Sequence, residues 1–169
     1  MKTKNILLVI IVFQMFVLAG VFANAFYPLV WGAEIQVKVI PVDPRSMFRG
    51  NYALLKYPFS NIKTSQFPQK TLIQPNHIVY TSLLKNAEGI YEFGSVSFDK
   101  PKKGLFLKGR LSTRSRGFRA RDSHSIRYGI EAYFLPKKKA LALEDKLRQG
   151  GVASLRVSSS GKAVLVAVH

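Results

Sequence analysis

Residues 6–23 form an apolar run with no charge, and the uncharged stretch continues to Ala33. About 20 mainly apolar residues suffice to cross the hydrocarbon core of a bilayer as a helix, so the run predicts one transmembrane helix. Lys2 and Lys4 would hold its start in the cytoplasm, and Tyr27 and Trp31 fall where interfacial aromatics belong. Gln14 is the one polar interruption before Asn24, tolerable because such groups contribute on average about 0.6 kcal/mol inside a membrane. A cleaved signal peptide is the competing reading, with Ala23-Asn24-Ala25 as its small-residue site. The run outlasts the ~7–15 residues of a signal core, which favours a retained anchor. Both readings export the remainder of the chain.

Beyond Ala33 the period changes from continuous to alternating. Ile35, Val37 and Val39 face one side of a strand over residues 34–42, and Glu34, Gln36 and Lys38 face the other. In residues 52–57 Tyr52, Leu54 and Lys56 alternate with Ala53, Leu55 and Tyr57, and Pro58 ends the strand. Residues 58–76 carry Pro58, Pro68 and Pro75 among polar side chains and read as a surface loop. Strand candidates at 77–84, 90–98 and 105–111, separated by Gly- and Lys-containing turns, read as a meander. A cationic loop over 112–125 then leads to a strand over 126–135. Residues 137–149 have the helical spacing Ala140, Leu143, Leu147, preceded by Pro136 and closed by Gly150-Gly151. Strands at 152–157 and 163–168 finish the chain as a hairpin. The expected fold is mainly β (α+β): an anchor or signal peptide over residues 1–33, then a small β-rich extracytoplasmic domain over 34–169 with one helix near its C-terminus.

The residues between the first two strands carry a signature. Gly50-Asn51-Tyr52-Ala53-Leu54-Leu55-Lys56-Tyr57, with Asp43, Pro44, Arg45 and Arg49 leading in, resembles the GDYXXLXY family of bacterial membrane-anchored proteins. Tyr-Gly-Ile-Glu-x-Tyr-Phe at 128–134 and the closing hairpin are similar to the same family, more weakly. The resemblance implies an anchored protein of the bacterial envelope and no known reaction. Asn51 stands where the family name has Asp. Asn replaces Asp in an Asx turn but not as a charge for a metal or proton, so the position is expected to serve the turn.

The formal charge of +17 at pH 7 changes the picture of partners. Only Lys2 and Lys4 precede Glu34, so nearly all of it belongs to the domain, and residues 100–127 hold ten Lys or Arg against Asp122 alone. Arg114, Arg116, Arg119 and Arg121 make the densest cluster, suited to anionic head groups or envelope polyanions. With Phe118 the cluster also suits single-stranded nucleic acid, which an exported domain rarely meets. The absence of cysteine excludes disulfides, thiolate metal sites and a cysteine nucleophile. His77, His124 and His169 lack metal-motif spacing, and neither a P-loop nor G-x-G-x-x-G is present, so no metal or cofactor is expected.

Catalysis has one sharp candidate: Ser46 as nucleophile with Lys56 as its base, loosely similar to the Ser-Met order of membrane-bound signal peptidases, though with different spacing. The plainer alternative makes Ser46 a turn hydroxyl and Lys56 a solvated strand residue. Glu131 is expected to pair with a surface cation. The expected role is a binding or accessory module on a single-pass protein of the bacterial inner membrane, in contact with lipid and with a multi-pass partner. A membrane-tethered hydrolase is the alternative.

Overall fold

The apolar run folds as α1 (Thr3–Trp31), 29 residues and therefore about 43 Å long. Its apolar side chains are exposed along most of that length, and it is long and apolar enough to cross a membrane. The computed structural model describes residues 3–40, 52–68, 74, 76–112, 123–134 and 150–169. Asp43, Pro44, Arg45, Ser46, Arg49, Gly50, Asn51, the four arginines from Arg114 to Arg121, and the helix expected over 137–149 lie outside these residues.

Alternation sets the strands beyond the helix. In β1 (Ala33–Val39) Ile35, Val37 and Val39 are buried, as the period of two requires. The chain continues through β2 (Tyr52–Leu54), β3 (Asn61–Lys63), β4 (Ile78–Lys85), β5 (Tyr91–Ser97), β6 (Leu105–Ser112), β7 (Ser123–Arg127), β8 (Ala132–Phe134), β9 (Gly151–Val157) and β10 (Ala163–Val168). Eight of these form one sheet in the order β10-β9-β1-β5-β4-β6-β7-β3, and β2 pairs separately with β8. β1 lies antiparallel to β9 along its whole length and meets β5 in a parallel contact at Val37↔Tyr91. The sheet curls: Lys108 N donates to Gly161 O at 2.7 Å, bringing the tip of the β9–β10 hairpin onto β6. Val37, Val79, Leu107, Ile126 and Leu155 fill the enclosed core.

Three expectations are corrected. The meander is not formed: β6 pairs with the far edge of β4 (Thr81↔Leu107), and the outer edge of β5 meets β1 at Tyr91. The proline-bearing segment is more than a surface loop. Phe59, Ile62 and Phe67 are buried within it, and Ile62 lies on β3, which pairs with β7. Pro58 opens a short 3-10 turn over Pro58–Ser60, and the two residues that follow it in that turn are still buried. The single strand expected over 126–135 is two strands, β7 and β8, separated by a turn. Gly129 has φ 84°, a conformation that glycine adopts without steric cost. The Glu131 carboxylate accepts bonds from the N–H groups of Tyr128 at 2.6 Å and Gly129 at 2.9 Å.

Candidate functional site

Among the described residues, two places gather chemistry-bearing side chains. The first is built where the signature strand runs beside the β7–β8 turn. Leu55 N donates to Glu131 O at 2.7 Å, and Ile40 N donates to Lys56 O at 2.8 Å, so the segment is held from both sides. Leu55 and Tyr57 point inward and are buried, and Lys56 points outward. The Tyr57 hydroxyl donates to Ile130 O at 2.8 Å. Its ring stacks on Phe59 at 5.3 Å, and Phe59 meets Tyr128 edge-on at 5.4 Å. The Tyr128 hydroxyl donates to Phe59 O at 2.9 Å and shares a 2.8 Å bond with the hydroxyl of Thr81, itself fully buried.

Gly109 makes room for that ring. A Cβ there would stand 2.4 Å from Ile126 Cγ2 and 2.9 Å from the Tyr128 ring. Burial pushes the hydroxyl of Tyr57 well above the ordinary tyrosine value, and the Glu131 carboxylate adds to the shift. Burial raises Tyr128 in the same way, with the Thr81 bond acting against it and Glu131 with it. Both rings are therefore neutral at physiological pH, and their hydroxyls are committed to fixed partners. Such a cluster locks strands together and offers nothing to a substrate.

The second place is the junction between α1 and the β9–β10 hairpin. Pro28 lies in the last turns of α1 and has no N–H, so the carbonyl of Asn24 lacks its usual helical partner. Lys162 Nζ donates to that carbonyl at 3.2 Å. The last helical bond runs from Gly32 N to Pro28 O at 2.9 Å. Beside it the Arg156 guanidinium donates to Leu29 O and reaches Glu34 at 3.4 Å. α1 has no basic residue in its own last turn. The hairpin thus supplies the cations that orphan carbonyls and the negative end of the helix dipole favour.

A cleft of about 430 Å³ opens beside this junction. Trp31, at the end of α1, forms one wall, and the β5–β6 connection with Lys100, Lys102 and Lys103 forms another. Leu105, Phe106 and Val157 give it an apolar floor, and Ser158 and Ser159 edge it at the hairpin turn. Lys100 Nζ sits 5.8 Å from the centre of the Phe106 ring, a cation–π arrangement. Among the described residues no ion pair holds any of the three lysines. Glu88 and Glu92 approach Lys38, Glu34 approaches Arg156, and Glu131 serves its turn. Asp99 is the one described acid adjoining them in the chain.

The sequence-based candidates distribute unevenly over these places. Of the signature, Tyr52 lies on β2 paired with Phe134, and Leu55 and Tyr57 lie in the buried cluster; Ser46 and the rest of the motif lie outside the described residues. Lys56 is exposed on the outward side of the segment. The Glu131 carboxylate accepts from the backbone N–H groups of Tyr128 and Gly129, and among the described residues it forms no ion pair with a cation. His77 and His124 lie against different rings, Phe98 and Phe67, and no three potential metal ligands gather among the described residues. The lysines at 100–103 read in sequence only as a turn. Their facing of Trp31 is made by the pairing of β1 with β9 and by the curl of the sheet, neither of which leaves a local signal.

A family model described as "GDYXXLXY protein" matches residues 14–168, nearly the whole chain. Searches of curated proteins and of solved structures returned no match.

Proposed function

The chain belongs to the GDYXXLXY family, and from that premise we propose that it is a single-pass, N-in protein of the bacterial inner membrane whose β-rich domain, on the extracytoplasmic side, binds anionic ligands at the membrane surface. It acts as a binding or accessory module, not as an enzyme. The observation that carries this reading is the set of three lysines, without ion-pair partners among the described residues, opening beside the exposed end of an apolar helix. Charge left without partners within the fold is available to a partner outside it. The +17 formal charge extends the same preference over the whole surface. The retained-anchor reading gains from the junction, since cleavage at Ala23-Asn24-Ala25 would detach the carbonyl that Lys162 holds.

The full chain carrying a reporter at His169, with its N-terminus sequenced from isolated membranes, tests the setting. Reporter activity outside the cytoplasm with an intact N-terminus is expected, and activity confined to the cytoplasm would overturn the proposal. Binding of an immobilised polyanion should weaken steeply with salt. Ser46→Ala should leave that binding unchanged, whereas a tethered hydrolase would lose its activity.

A further inference from the structure

We propose that the cleft between Trp31 and the lysines Lys100, Lys102 and Lys103 is a binding site for the phosphate-bearing head group of an anionic phospholipid, drawn from the same bilayer that α1 crosses. The inference rests on the membrane setting proposed above and adds to it a site and a ligand class.

Height along the helix places the cleft. Asn24 ends the apolar run and is held by Lys162 from the hairpin, so the domain begins at that level. Trp31 lies seven residues further on, about 10 Å along a helix axis. The interfacial layer outside the hydrocarbon is roughly 5–8 Å thick on each side. With Asn24 at the hydrocarbon boundary, Trp31 and the lysines across from it stand at the outer margin of the head groups. Their flexible four-carbon stems can direct the ammonium groups back toward the phosphates.

The lining has the two halves that such a ligand needs. Three ammonium groups without ion-pair partners among the described residues offer charge to a phosphodiester. Below them Leu105, Phe106 and Val157 offer an apolar surface to the glycerol and the first methylenes, and Trp31, three-quarters exposed, offers an aromatic wall. A free inorganic phosphate would use the first half alone. The bonds from Arg156 and Lys162 to the end of α1 hold the wall that carries Trp31 in position against the sheet.

Trp31 is the single tryptophan of the chain, so its fluorescence reports on this cleft alone. The full-length protein in uncharged detergent micelles is titrated with short-chain phosphatidylglycerol, with short-chain phosphatidylcholine, and with inorganic phosphate. A saturable change with phosphatidylglycerol only is expected. One lysine near an anionic surface is worth a factor of about five, so Lys100→Gln, Lys102→Gln and Lys103→Gln together should shift the midpoint by about a hundredfold. Lys63→Gln, on β3 far from the cleft, should leave it in place.

Lys102→Gln alone, expected to shift the midpoint about fivefold, keeps the measurement decisive should the triple variant fold poorly. The proposal is overturned if the lysine variants titrate like the unaltered chain, or if phosphatidylglycerol gives no saturable change. It is equally overturned if inorganic phosphate reproduces the response at the same concentration, which would mark a free-phosphate site. A micelle has no sides, so this titration stands or falls separately from the topology test at His169.

Discussion

The tyrosine cluster and the lysine cleft lie in one curled domain and treat polar groups in opposite ways. Around Tyr57 and Tyr128 each hydroxyl has a named partner and water is excluded. Around Trp31 three ammonium groups are exposed and lack ion-pair partners among the described residues. The difference separates a part of the molecule that makes the fold from a part that the fold presents. It also assigns the described end of the family signature, Leu55 and Tyr57, to the first category.

Substitutions should divide along that boundary. Tyr128→Ala removes a buried ring and two hydroxyl contacts, and should destabilise the full chain by about 3–5 kcal/mol in denaturant unfolding; neutralising the three cleft lysines should change stability by no more than about 0.5 kcal/mol. Equal losses from the two would erase the distinction.

Tyr57→Phe keeps the ring but leaves Ile130 O without its buried donor, an expected loss of about 1–2 kcal/mol. The same residue sharpens the comparison through pH. Both tyrosines have pKa values raised in the fold, so their neutral form is the one the native state holds. Their contribution is fully present below the unfolded value of about 10 and is lost as pH rises from there toward the folded value, by about 1.4 kcal/mol per pH unit for each ring. Unfolding followed by circular dichroism should show this alkaline slope, and Tyr57→Phe should roughly halve it.

A smaller loss than at either tyrosine is expected at the junction. Lys162→Met takes the donor from Asn24 O and a cation from the end of α1, and should lower stability by about 0.3–1 kcal/mol. Faster proteolysis between Ala23 and Trp31 should accompany it. Unaltered proteolysis would show that the hairpin does not hold the helix end.

Much of this architecture is legible in the chain itself. The uncharged run marks α1, and alternation at Ile35, Val37 and Val39 marks β1. The turn Ser158-Ser159-Ser160-Gly161 marks the β9–β10 hairpin, which forms in antiparallel register. These are local signals. The features that leave no such trace are decided by pairing across long separations. β6 pairs with β4 and not with β5, whose other edge meets β1 at Tyr91, and Phe59 and Phe67 are buried on either side of β3, which pairs with β7. The candidate site shares that origin, since Trp31 and Lys102 are brought together by strands that join Ala33 to Val157 and Lys108 to Gly161.

Pro28 has a mechanical consequence as well as a local one. The carbonyl it leaves open at Asn24 is tied to Lys162 on the strand-built body. In a bilayer that tie acts as a collar: α1 cannot sink further without dragging Lys162 into hydrocarbon or baring a carbonyl there, either of which is strongly opposed. A thicker or thinner membrane must then be met by tilting the rod or deforming the lipid around it. On the proposed anchored topology, the body would keep its elevation above the lipid in whatever membrane surrounds the rod.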